Sequence, residues 1–224
     1  MTLNARAWLA LAILALAVAA LLFSCAGTLR YWHAWVFLAV FIGASTAITL
    51  DLMRRDPALL ERRMRGGPTA EKEASQRVIM LFTSAGFSAL LVVPALDFRY
   101  HWSQVPLLAV VIGNVLVAVG FYFIALVYRE NTFTSATVQV VADQKVVTTG
   151  PYAIVRHPMY ASASLYLAGI PMALGSWWGF VPLAATLPFL IWRLLDEERL
   201  LTRELAGYRE YRTHVRYRLV PFIW

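Results

Sequence analysis

The chain has 224 residues, of which 60% are hydrophobic and only 15% charged, with a formal net charge of +7. Soluble domains carry about 25% charged residues, so this composition disfavours a water-soluble fold and favours the membrane. The basic surplus would suit nucleic acid, but it gathers on one side of the apolar runs, which disfavours that partner.

Those runs come in chain order. Arg6 to Arg30 brackets 23 uncharged residues, Arg30 to Asp51 brackets 20, Arg77 to Asp97 brackets 19 and Arg99 to Arg129 brackets 29. A bilayer core takes roughly 20 apolar residues as a helix, so each is one span. The first run also resembles a signal peptide, with "LFSC" as a faint cleavage box, but its apolar stretch exceeds the usual 7–15 residues. It is read as a retained span. The last run, Arg156 to Arg193, brackets 36 residues and fits two short helices around "LGSWWG", whose tryptophans suit an interface. The expected fold is therefore an all-α integral membrane protein. It has six transmembrane helices, or five if the C-terminal hairpin is one tilted element, followed by a cytoplasmic amphipathic helix.

With the N-terminus inside, only Arg30 and Arg99 of the 20 basic residues lie outside. That asymmetry predicts cytoplasmic N- and C-termini. The Ala/Leu/Arg-rich style suggests a bacterial inner membrane. Two regions are expected, a four-span part over 1–128 and a catalytic, cofactor-binding part over 129–224.

Between the second and third spans, "DPALLERRM" reads as a short helix capped by Asp56 with Pro57 at its first position. A Gly-Gly-Pro breaker follows it. A surface helix on the membrane is the plain reading, and a gate over a site is the alternative. The 129–158 segment has no helical period, is broken by Gly150-Pro151 and His157-Pro158, and is too apolar for disorder. Long irregular loops of this kind are functional candidates. In the C-terminal segment, Leu194, Leu201, Leu205 and Tyr208 share one helical stripe, flanked by Glu197 and Glu198. Carboxylates beside an apolar face need partners, either Arg193 or the Arg156 region, or a polar or cationic ligand.

The remaining polar residues have simpler readings. His33 and His101 stand beside Trp32, Trp35 and Trp102 as interfacial residues, and His214 is solvated. Asn114, Gly113 and Gly120 read as helix-packing features, and Asp51 as an interface residue. Cys25 is the lone cysteine, which excludes an intramolecular disulfide, and no spacing of ligands supports a metal site.

"GPYAIVRHPMY" followed some forty residues later by "DEERLL", "GYREY" and "YRLVPFIW" resembles the isoprenylcysteine carboxyl methyltransferase family. That group is related to the phospholipid N-methyltransferases. The resemblance implies S-adenosylmethionine held at the cytoplasmic end of the last helices. On the matching motifs it places Gln144, Lys145, Val146, Val147, Tyr152, His157, Pro158, Met159, Tyr160, Glu197 and Glu198 around the cofactor. Eukaryotic members begin the first stretch with His, where this chain has Gln144. A family glutamine aligns with Thr137, with Gln139 nearby. The resemblance also puts Arg193 against the acceptor.

The acceptor is expected to be a lipophilic molecule in the membrane. A carboxylate arrives deprotonated and would be oriented by the Arg193 fork. An amine, thiol or phospholipid acceptor would call on His157 or Tyr160 for proton transfer. His157-Pro158 also reads as a purely structural elbow. Other classes in view are a membrane NADPH-dependent reductase and a small transporter, although the paired broken helices of a transporter are missing.

Overall fold

The computed structural model describes residues 1–66, 71, 73–140 and 143–224, and all of its regular structure is helical. Four helices are long and apolar enough to cross a membrane: α1 (Leu3–Ala26), α2 (Trp32–Arg55), α4 (Ala74–Tyr100) and α5 (Leu107–Glu130). They are the four single-span runs of the sequence, and the chain is a multi-pass membrane protein. The 36-residue run divides as expected into α6 (Pro158–Ala173) and α7 (Phe180–Glu204), joined at the "LGSWWG" turn. At 16 residues, α6 rises about 24 Å, short of the roughly 30 Å hydrocarbon core. The second half of α7 is charged. The hairpin therefore does not repeat the plain apolar pattern of the first four helices.

Local chemistry sets the helix ends. Thr2 Oγ1 accepts from Ala5 N (3.3 Å) to start α1, and Gly27 closes it in the left-handed region. The short helix α3 spans Pro57–Met64, with the Asp56 side chain accepting from Leu59 N (2.9 Å), as its cap motif predicted. Of the Gly-Gly-Pro breaker, Gly67 and Pro68 lie outside the described residues. Leu59 and Leu60 of α3 are buried with Ala7, Leu52, Ile124 and Tyr128, so α3 is packed into the body rather than lying free.

The main core runs through Leu22, Phe37, Phe41, Leu90, Leu91, Val117, Ile170 and Leu183, contributed by the six long helices. α5 and α6 approach backbone to backbone. A Cβ on Gly120 would come within 2.8 Å of the Tyr166 backbone N, and one on Gly169 within 2.6 Å of Gly113 O. Gly113 and Gly120 are thus packing residues, as read from sequence.

At the far end from the N-terminus, buried Asp97 accepts from Ser103 N (2.8 Å), Ser103 Oγ (2.5 Å) and Ser176 Oγ (2.5 Å). This knot ties the α4–α5 link to the hairpin turn. Trp32, Trp35, Trp102, Trp177 and Trp178 are exposed around the same end. His33 stacks on Trp32, 3.9 Å between ring centres, and His101 closes α4, both within this aromatic belt.

The C-terminal amphipathic helix needs a correction. It is not continuous: α7 stops at Glu204, Leu205 is extended, Gly207 is left-handed (φ 82°), and α8 runs Tyr208–His214. Glycine takes that conformation without a Cβ clash. The turn folds the predicted stripe back, so that Leu205 and Tyr208 join Tyr211 and Val215 against Val140 and Val146.

Candidate active site

By helix alternation, the start of α1, the end of α2, α3, the 131–157 segment and α8 share the end opposite the tryptophan belt. There the chain after α5 is pinned step by step. Asn131 Nδ2 donates to the Tyr152 hydroxyl (2.9 Å), and Thr149 hydrogen-bonds Glu130. Gly150 is left-handed (φ 57°) and sits so close to Glu130 that a Cβ would fall 2.8 Å from Oε2. A single 3-10 turn, Gly150–Ala153, follows. The C-terminal tail then pairs with the polar elbow: Arg156 N donates to Tyr217 O (2.9 Å) and His157 N to Arg218 O (3.0 Å). Pro158 occupies the first helical position of α6, where its missing N–H costs nothing.

This arrangement encloses a cavity of about 370 Å³. Gln144, Lys145, Val146, Val147, Tyr152, His157, Pro158, Met159, Tyr160, Arg193 and Glu197 all line it, as do Thr137 and Gln139. Glu198 does not.

The two glutamates have different surroundings. Glu197 faces the cavity and accepts from the Tyr160 hydroxyl (2.6 Å). Glu198 is only 4% exposed and lies behind the wall among cations. Arg218 Nε donates to its Oε2 (2.8 Å). Arg156 Nε is an ion-pair partner 2.9 Å from Oε1, Arg212 Nε lies at 3.7 Å and His157 Nε2 at 3.9 Å. Burial opposes the Glu198 charge, but His157, Arg218 and Arg156 outweigh it and hold the carboxyl at about 2. Of the two partners expected from sequence, the Arg156 region satisfies Glu198, and Arg193 does not.

Arg193 is committed elsewhere. Its Nη1 donates to Gln76 Oε1 (2.9 Å), and its Nη2 to Glu71 Oε1 (2.7 Å) and Ala136 O (3.0 Å). Glu71 and Gln76 were not singled out in the sequence, being one carboxylate and one amide in a polar linker. Their signal would have been a charge and an amide adjoining a predicted span. Arg218 was likewise missed as a partner, though it stands within the quoted tail motif. Among the described residues no cluster of ligands could hold a metal ion.

Burial pushes the phenols of Tyr152, Tyr208 and Tyr211 well above their ordinary value, so all three stay protonated at neutral pH. His157 is buried and lines the cavity, with its Nε2 3.9 Å from Glu198 Oε1. A second, open groove of about 380 Å³ lies between α4, α6 and α7. Thr83, Tyr166 and Leu190 line both spaces, so the groove adjoins the cavity from the membrane side.

Residues 108–207 match the sequence model of the phospholipid methyltransferase family. That region is similar to membrane methyltransferases. The match begins in α5, includes the irregular loop and hairpin, and ends at Gly207, just before α8. The kinship expected from the "RHPMY" and "EE" motifs is thereby borne out, since these methyltransferases are related to the isoprenylcysteine carboxyl group. Comparison with curated proteins gave no match.

Proposed function

We propose that the chain transfers a methyl group from S-adenosylmethionine to a lipophilic acceptor dissolved in the membrane. The observation that carries this reading is a cavity lined by aromatic and polar side chains that shares Thr83, Tyr166 and Leu190 with a groove between membrane helices. A water-soluble donor and a lipid-dissolved acceptor need such a meeting place. The cavity volume lies within the 300–1,000 Å³ range of small-molecule sites. Its lining also suits the cofactor. Glu197 and the faces of Tyr152 and Tyr160 suit a cationic centre.

Bound there, the cofactor would supply an activated methyl carbon, whose bond to sulfur breaks with its electron pair left on sulfur as the acceptor's lone pair bonds to carbon. The residues of this chain hold and orient. Backbone and side chains of 144–147 form one wall, and Glu198 acts through Arg156 and Arg218 to fix the elbow that carries His157. Tyr160 and Glu197, hydrogen-bonded to each other, provide a route for a proton released by the acceptor. Enforced alignment at near-attack distance would be the main source of rate.

For the acceptor, the geometry favours an uncharged nucleophile, such as the amine of a phospholipid or small lipid, because both terminal nitrogens of Arg193 already have partners. The carboxylate reading implied by the isoprenylcysteine resemblance is second, and it is favoured by the same arginine, which already seats one carboxylate. With the basic end taken as cytoplasmic, the site faces the cytoplasm of a bacterial inner membrane. Calorimetry on detergent-solubilised protein should detect S-adenosylmethionine binding, and a panel of amine, thiol and carboxylate lipids should yield a methylated product. Binding of NADPH alone would instead favour a reductase.

A further inference from the structure

Glu71 stands outside the family-matched region, in the linker before α4, yet its side chain is only 1% exposed and meets Arg193 at 2.7 Å. Its second oxygen accepts from Val138 N (3.3 Å), and its own carbonyl accepts from Arg77 Nε (2.9 Å). Two stretches of chain therefore hold the carboxylate, and a third holds the Glu71 backbone. Among the described residues, four cations line the cavity: Arg63, Lys145, Arg156 and Arg193. Arg63 donates to Ser135 O, Arg156 faces Glu198, and Lys145 is exposed. Arg193 lies on α7 one turn from Leu190, where the cavity adjoins the membrane groove.

We infer that Glu71 selects the acceptor, occupying on Arg193 the place an acceptor carboxylate would take and so turning carboxylates away. The inference rests on the methyl-transfer reading for its biological meaning, but not for its test. A carboxylate entering from the groove must displace Glu71 from Arg193 and leave that buried charge with only the Val138 N–H as partner, which is strongly unfavourable. An uncharged amine meets an arginine already neutralised, and needs no such displacement. Glu71→Gln keeps the shape and removes the charge, so Arg193 is left un-neutralised and an entering carboxylate displaces only a neutral amide.

The test measures binding of a long-chain fatty acid and of the uncharged primary alcohol of equal length to the full-length protein in detergent, with and without S-adenosylmethionine. Glu71→Gln should bind the fatty acid about tenfold more tightly than the parent protein, with alcohol affinity changed less than about threefold. Glu71→Asp, which keeps the charge on a shorter arm, should gain less, and serves alone should the amide variant not fold. Unchanged or weaker fatty-acid binding in both variants would overturn the inference. The expected fatty-acid gain in a protein that binds no S-adenosylmethionine would uphold this selection while sinking the methyl-transfer reading.

Discussion

Glu197 and Glu198 are adjacent and chemically identical, yet one faces the cavity and the other is enclosed by Arg156, Arg212 and Arg218. The resemblance by itself placed both around the cofactor. With the cation cluster in view, Glu198 acts through structure. Glu198→Gln should cost about 3–5 kcal/mol, the range for breaking a buried ion pair, and lower the melting temperature. Glu197→Gln should leave the melt nearly unchanged while weakening S-adenosylmethionine by roughly tenfold. Thermal melts with cofactor titration on both variants check this, and a normal melt for Glu198→Gln would refute the structural role. The Glu198 carboxyl is depressed from 4.5 to about 2. Its contribution is therefore complete above about pH 4.5 and is lost as pH falls towards 2 and below. A shift of that size corresponds to about 3 kcal/mol. Melts between pH 7 and 3 should fall in the parent protein and be flatter in Glu198→Gln.

Among the elements, α5 and α6 form the closest contact, and it depends on the absence of side chains. Gly120→Ala would press a methyl group onto the Tyr166 and Ser162 backbone, at 2.8 and 2.9 Å. Overpacking of this kind costs about 1–3 kcal/mol, so the detergent melt should drop clearly. Gly43 on α2 has nothing within 4 Å of an added Cβ. Gly43→Ala should be neutral or stabilising by up to about 1 kcal/mol, through helix propensity. Equal melts for the two variants would contradict the close α5–α6 packing. Because α6 begins at Pro158 and carries Tyr160, a shift of α6 along α5 should also disturb the cavity. Cofactor affinity should therefore fall in Gly120→Ala and hold in Gly43→Ala.

Across the whole molecule, the tryptophan belt and the cavity lie at opposite ends, with the described basic residues other than Arg30 and Arg99 at the cavity end. In a Cys25→Ser background, Thr28→Cys should react with an impermeant thiol reagent in intact cells. Arg209→Cys should react only after the membrane is opened. The reverse pattern would invert the proposed orientation, and labelling of both from one side would break the span order.

Helix number and placement were legible in the sequence, because a span is a local property: about 20 uncharged residues must satisfy their own backbone in lipid. The α3 cap and the "GPYAIVRHPMY" elbow were legible for similar reasons, since Asp-Pro and Gly-Pro fix backbone locally. The break at Leu205–Gly207 was missed because a lone glycine in an amphipathic pattern does not reveal whether it will turn. Partner choice lay wholly with the tertiary structure. Helical phase put Glu197 and Glu198 equally near the apolar stripe, and only the return of the tail, pairing Tyr217 and Arg218 with Arg156 and His157, gave Glu198 its cations. Arg193 likewise read as a partner of the glutamate pair or of an acceptor until the packing of α4 and the linker before it on α7 brought it Gln76 and Glu71, 117 and 122 residues away along the chain. Charges are paired by distance in space, and the amino-acid order alone does not contain that distance.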